Sequence, residues 1–73
     1  MIVILKSDID ANGPEYRQIL EFLANKPNIT TRVHQEIGRQ QTVTEIYLIG
    51  DTASLDKAEI ESLAGVDRVV RVS

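Results

Sequence analysis

The sequence has no cysteine, no tryptophan, one histidine and no long apolar run. Without cysteine, disulfides, thiolate metal sites and iron–sulfur clusters are excluded. The apolar run at 2–5 is too short for the core of a signal peptide, and no run approaches the length of a transmembrane helix. We therefore expect a cytoplasmic protein that makes no contact with a membrane.

Positive charge is also scarce, with 8 basic against 11 acidic residues and a net charge of −3. Nucleic-acid binding needs a basic surface that neutralises phosphates, so nucleic acid is not an expected partner. The 73 residues suffice for one domain, residues 1–73, near the lower size limit for a single core. A domain this small must pack well or gain stability from a partner.

The apolar pattern predicts four strands and two helices. Residues 2–5 are a continuous apolar run, mostly β-branched, typical of a strand buried on both faces. Pro14 suits the first turn of a helix capped by Asn12 or Gly13, and Pro27 ends it. The remaining elements are strands at 29–37 and 42–49, a helix capped by Thr52 or Ser54 and ended by Gly65, and a strand at 66–72.

The order β-α-β-β-α-β with right-handed crossovers predicts an α+β, ferredoxin-like sandwich. Both helices cover one face of a four-stranded antiparallel sheet, and we expect the first and third strands at its centre, parallel to each other. Within this chain nothing is left to cover the second face. The alternation along 29–37 places Arg32, His34 and Glu36 on that face.

The uncovered face is expected to be apolar in part, since the third strand carries apolar residues on both sides. We predict that Tyr47, Ile49, Val69 and half of the first strand lie there and form an interaction interface. The alternative is a set of scattered surface residues, since over half of an ordinary protein surface is apolar.

Two polar features resemble parts of metal sites. Asp8 to Gly13 matches the start of a calcium-binding EF-hand loop, but the twelfth position, which requires glutamate, is Ile19. We predict a solvated loop and no specific calcium site. His34, the only histidine, cannot form a transition-metal site alone. It is either a solvated polar residue or a hydrogen-bonding contact in an interface or ligand pocket.

No catalytic constellation is visible. The chain has neither a nucleophile motif nor a phosphate-binding loop. Among other functions of this fold, an acylphosphatase-like site needs an arginine after the first strand, and a copper chaperone needs paired cysteines. An RNA-recognition motif needs several stacking aromatics, of which only Tyr47 is available. An interaction module or a small-ligand module remains, with no catalytic residue and no cofactor in this domain.

A family resemblance spans the chain. The stretches that carry it are MIVILK at 1–6, HQEIG at 34–38, TV at 42–43, LIGD at 48–51, ESL at 61–63 and VDRVVRV at 66–72, the last being the most specific. In these stretches the sequence resembles the N-terminal ferredoxin-like domain of 3-deoxy-D-arabino-heptulosonate 7-phosphate synthase (DAHP synthase), also called phospho-2-dehydro-3-deoxyheptonate aldolase.

The resemblance implies a partner that performs the chemistry. In this family a (β/α)₈ barrel follows and uses a divalent metal to condense phosphoenolpyruvate with erythrose 4-phosphate in the shikimate pathway. Ser73 stands where the linker to the barrel would begin, so the chain resembles an excised domain or a truncated gene product. The added domain resembles ACT domains, in which tyrosine or phenylalanine binds between domains of a homo-oligomer and closes access to the barrel.

The resemblance also implies ligand-binding residues. His34 matches a ligand-contacting histidine of the family, Arg32 is expected to pair with a carboxylate, and Gly38 to let the backbone approach the ligand. Glu36 departs from the family, where a small hydroxyl residue is common, and would repel a ligand carboxylate. The family's Gly-x-Glu-Arg-Thr-Val segment reads GRQQTV at 38–43. The rivals are a free-standing ACT-type module and a small independent enzyme.

Overall fold

The structure, a computed structural model, describes residues 1–72 and contains the six predicted elements in the predicted order. Ser73, expected to begin a linker, lies outside these residues. Neither helix within them is long and apolar enough to cross a membrane. The elements are β1 Ile2–Leu5, α1 Pro14–Ala24, β2 Ile29–Ile37, β3 Thr42–Gly50, a 3-10 turn Thr52–Ser54, α2 Lys57–Glu61 and β4 Val66–Val70.

The first helix forms as its sequence predicts. Gly13, one of the two predicted caps, occupies the N-cap position, and Pro14 follows in the first turn, where its missing N–H costs no hydrogen bond. Ile19 and Leu23 lie one turn apart and are both buried. Asn25 ends the helix: its N–H donates to the carbonyl of Glu21, and the N–H of Lys26 donates to the carbonyl of Leu23. The helix therefore packs one apolar face on the sheet.

The second helix is shorter than predicted and begins elsewhere. Its N-cap is Asp56, whose carboxylate accepts the backbone N–H groups of Ala58 and Glu59 at 3.0 and 3.4 Å. The predicted caps Thr52 and Ser54 instead form the 3-10 turn. A carboxylate is the better cap, because it also interacts favourably with the helix dipole. The helix ends at Ser62, and Gly65 with φ +94° leads into β4.

The sheet order is β2-β3-β1-β4, so β1 and β3 are central as predicted. The prediction that they run parallel was wrong: β1 pairs antiparallel with β3, with Val3 opposite Ile46. The reason is that the crossover through α1 makes β1 and β2 parallel, and the β2–β3 hairpin then reverses the chain. All strand pairs are antiparallel, and the ferredoxin-like fold is confirmed.

The core lies between one sheet face and the two helices. Its most deeply buried side chains are Val3, Ile19, Leu23, Ile46 and Ile60. Each fully buried aliphatic side chain contributes about 1.5–3 kcal/mol of hydrophobic free energy, before the loss of chain entropy.

A β-bulge in the last strand corrects one predicted site residue. The register between β1 and β4 shifts, so that Ile4 faces Arg68 while Leu5 faces Val66. The extra residue, Asp67, lets Val66 and Val69 both point toward the helices. Val69 is only 3% exposed, so the prediction that it lies on the uncovered face was wrong. Its neighbour Val70, opposite Ile2, lies there instead and is 39% exposed.

Candidate functional site

The sheet face that neither helix covers, called here the open face, is the candidate site. Residues directly opposite in an antiparallel pair point to the same side, so the register defines its members. They are Ile2 and Ile4 of β1, Thr30, Arg32, His34 and Glu36 of β2, Val43, Glu45, Tyr47 and Ile49 of β3, and Arg68 and Val70 of β4. Of the predicted residues, the structure thus brings Arg32, His34, Glu36, Tyr47 and Ile49 together.

One end of the open face is apolar. Ile49 is 53% exposed, and Ile2 and Tyr47 lie beside it, half-buried. These residues line a shallow groove of about 430 Å³. Arg32 lies directly opposite Tyr47 and is the one arginine among the described residues that line the groove. An apolar groove with a guanidinium beside it suits a ligand or partner that has an apolar body and a negatively charged group.

The other end of the open face is acidic. His34 faces Glu45 across the strands, and Glu36 follows it along β2 on the same side. The ring of His34 meets the ring of Tyr47 edge-on, with centroids 6.4 Å apart and planes at 66°. His34 therefore joins the apolar and acidic ends. Two neighbouring carboxylates make its surroundings unfavourable for an anion, whereas Arg32 offers an anion a positive charge.

The structure gives Gly38 a role in the turn. Its N–H donates to the carbonyl of Gln41 at 2.9 Å and closes the β2–β3 hairpin. A Cβ on this residue would lie 2.9 Å from the same carbonyl oxygen, too close for any other residue without a shift of the turn. The tightness of the turn is sufficient reason for glycine at this position.

The loop that matches the start of an EF-hand makes local turns. A carboxylate oxygen of Asp10 accepts a hydrogen bond from the N–H of Asn12 at 2.9 Å, and the backbone carbonyl of Asp10 accepts one from the N–H of Gly13. Ile19, at the position that would need glutamate, is 1% exposed in the core. Within residues 1–72 no three side chains of the usual metal-binding types converge.

Two features of the surface were not predicted from the sequence. The groove also includes Met1. Its N-terminal amino group donates a hydrogen bond to the backbone carbonyl of Leu48, with a nitrogen–oxygen distance of 3.3 Å. A second concavity, of about 550 Å³, lies beyond the ends of β1 and β4, beside Lys6 and Asp67. It contains charges of both signs, and no local motif marks it. The pairing of Glu45 with His34 was derivable in principle, since the short hairpin turn fixes the register.

Comparison with family models decides the relationship. The model described as "DAHP synthase ferredoxin-like domain" matches residues 1–73. The chain belongs to this family. The ferredoxin-like domain of DAHP synthase is thus confirmed as the relative that the sequence resembled. Among curated proteins no match was found.

Proposed function

We propose that this DAHP synthase ferredoxin-like domain acts in the cytoplasm as the regulatory or assembly domain of the synthase and does no chemistry itself. Its partner would be a catalytic barrel that holds the divalent metal and condenses phosphoenolpyruvate with erythrose 4-phosphate. The observation that carries the proposal is the open face, because a partly apolar sheet face with an arginine and a histidine on it is suited to binding.

The proposed ligand is an aromatic amino acid, tyrosine or phenylalanine, held between two copies of the domain in a homo-oligomer. Its carboxylate would pair with Arg32, its ring would lie against Tyr47 and Ile49, and His34 would donate a hydrogen bond. This orientation is favoured because Glu36 and Glu45 flank His34 and would repel a carboxylate placed there.

Regulation then follows from differential binding. A ligand held between two domains binds their associated arrangement more tightly than the separated one, so it shifts the population toward association. Couplings of this kind typically amount to about 1–3 kcal/mol, or about 5–150-fold in affinity. Association of the domains would restrict access to the barrel and lower turnover.

The experiment uses the full-length enzyme with tyrosine, phenylalanine and tryptophan added separately. We expect one of them to inhibit, and the inhibition to disappear with turnover intact when residues 1–73 are deleted. Arg32→Ala and His34→Ala should each weaken inhibition. Arg68→Ala, which removes a charge elsewhere on the open face, is the matched control and should not.

The outcomes separate the parts of the proposal. Inhibition that persists in His34→Ala would make that residue assignment wrong. If no amino acid inhibits, feedback control is wrong and assembly is the remaining role. Calorimetric binding of an amino acid to a chain whose gene encodes no barrel would instead favour the free-standing ACT-type module.

A further inference from the structure

The two edge strands of the sheet, β4 and β2, differ in whether other side chains of the chain cover their outer backbone groups. At the β4 edge, a carboxylate oxygen of Glu61 accepts the N–H of Val69 at 3.1 Å. Just after β4, the guanidinium of Arg71 donates to the carbonyls of Thr52 and Leu55 at 3.1 and 2.6 Å. The chain thus covers this edge with its own side chains, as native sheets commonly do to prevent pairing with other molecules.

The β2 edge has no such protection among residues 1–72. This strand is nine residues long, and β3 is the only strand of the sheet beside it. On its helix side, Val33 and Ile37 are 48% and 79% exposed, because the hairpin extends past the helices. A long edge strand with exposed apolar residues is a template for pairing with another strand.

The register shows which backbone groups of β2 are free to pair. Hydrogen bonds from Gly38 to Gln41 and from Asp51 to Asn28 extend the β2–β3 ladder at its two ends. Because bonded and non-bonded pairs alternate, the even-numbered residues of β2 bond to β3. The odd-numbered residues, 31, 33, 35 and 37, point their N–H and C=O groups away from the sheet.

We infer that the β2 edge pairs antiparallel with β2 of a second copy of this chain, about a two-fold axis at His34. The outward groups of Val33 would then bond to those of the partner's Gln35. Arg32 would lie opposite the partner's Glu36 in a non-bonded pair, where Cα atoms are only about 4.5 Å apart and side chains are closest. By symmetry the ion pair forms twice.

Charge selects this register over its two nearest alternatives. Two-fold axes at Val33 and at Gln35 would also use the outward groups, but they would place Arg32 opposite the partner's His34 and the partner's Gly38, so neither gives Arg32 a carboxylate. Within residues 1–72 neither Arg32 nor Glu36 forms an ion pair. Pairing about His34 gives each of these charges a partner of opposite sign, and it brings Val33 and Ile37 of the two copies diagonally together.

This inference deepens the assembly role proposed above and names the partner as a second copy. It gives Glu36 a function: the carboxylate that is unfavourable for an anionic ligand supplies the counter-ion for Arg32 across the interface. Association through β2 therefore needs no amino acid.

Sedimentation equilibrium of the chain, without amino acids and at low and high salt, tests the pairing. Arg32→Glu and Glu36→Arg should each weaken association by about tenfold, since each replaces two attractive cross-strand pairs by two repulsive ones. The double variant R32E/E36R should restore association. Arg68→Glu, a charge reversal off the edge, is the control and should have a smaller effect.

A backbone variant gives an independent test. Gln35→Pro removes an outward N–H and none of the β3 hydrogen bonds, so it should reduce association while circular dichroism shows the fold retained. A wild-type monomer at millimolar concentration, or a double variant no better than the single ones, would overturn the inference. Dissociation by Tyr47→Asp but by no edge variant would place the contact on the open face instead.

The two proposals can fail separately. An enzyme that no aromatic amino acid inhibits contradicts feedback control and leaves edge pairing intact. A chain that associates only when tyrosine is added contradicts edge pairing, which needs no amino acid, and leaves feedback control intact.

Discussion

The side of the sheet on which Val69 lies can be tested against Val70, its neighbour and matched control. Truncating Val69 to alanine removes apolar groups from a site that is 3% exposed, beside Val3 on the sheet face that the helices cover. At about 0.8 kcal/mol per buried methylene, with an added cavity term, Val69→Ala should lower the free energy of unfolding by about 2 kcal/mol. Val70→Ala, at a site that is 39% exposed, leaves no enclosed cavity and should cost less than about 1 kcal/mol.

Urea denaturation followed by far-ultraviolet circular dichroism would measure both changes. A domain of this size has about 4–11 kcal/mol of stability, so the Val69 loss is a large fraction. It corresponds to a fall of about 10 °C in Tm. Since both substitutions replace valine by alanine in the same strand, the loss of intrinsic strand preference cancels in the comparison. Equal costs, or a larger cost at Val70, would refute the bulge and return Val69 to the open face.

Three further expectations follow from single positions. Gly50→Ala should cost more than about 2 kcal/mol in urea denaturation, because φ is +123° and a Cβ would collide with the carbonyl of Asn28; a neutral effect would contradict this backbone conformation. Tyr47→Asp should weaken any self-association through the open face in sedimentation measurements, and an unchanged constant would count against that contact. Calorimetric titration with calcium should give no specific isotherm, and one that Asp8→Ala abolishes would refute this.

The strands and the first helix were predictable because their signals are local. The bounds of β1 and β2 agree with the prediction, since a mostly β-branched apolar run indicates the first strand and an alternation of side chains the second. Proline at 14 and 27 delimits α1 in the same way. The second helix was not predictable in detail, because Thr52, Ser54 and Asp56 are all good caps. Asp56 is the cap that forms, and Leu55, the residue before it, is buried.

The open face was predictable for β2 and β3 but not for β4. Alternation along β2 places Arg32 and His34 on the same side of the sheet, whichever strands lie next to β2. Alternation along β3 fixes the side of Tyr47 in the same way. In β4 the bulge at Asp67 changes the alternation midway, and the sequence VDRVV carries no glycine or proline to announce it. The groove beside Arg32 depends on which strands are neighbours, which is a property of the whole sheet.

Arg32 links the two proposals, because both assign it a carboxylate. A guanidinium has five N–H donors, so a partner's Glu36 and a ligand carboxylate can bind it together, but they compete for its charge. A ligand that displaces the partner's Glu36 from Arg32 would weaken edge pairing. A ligand that binds Arg32 together with the partner's Glu36 would strengthen the pairing. Thermodynamic reciprocity makes the two sites report on each other. The factor by which tyrosine changes the association constant of the chain equals the factor by which association changes its affinity for tyrosine. Sedimentation with and without the amino acid therefore gives the sign of the coupling from association data alone.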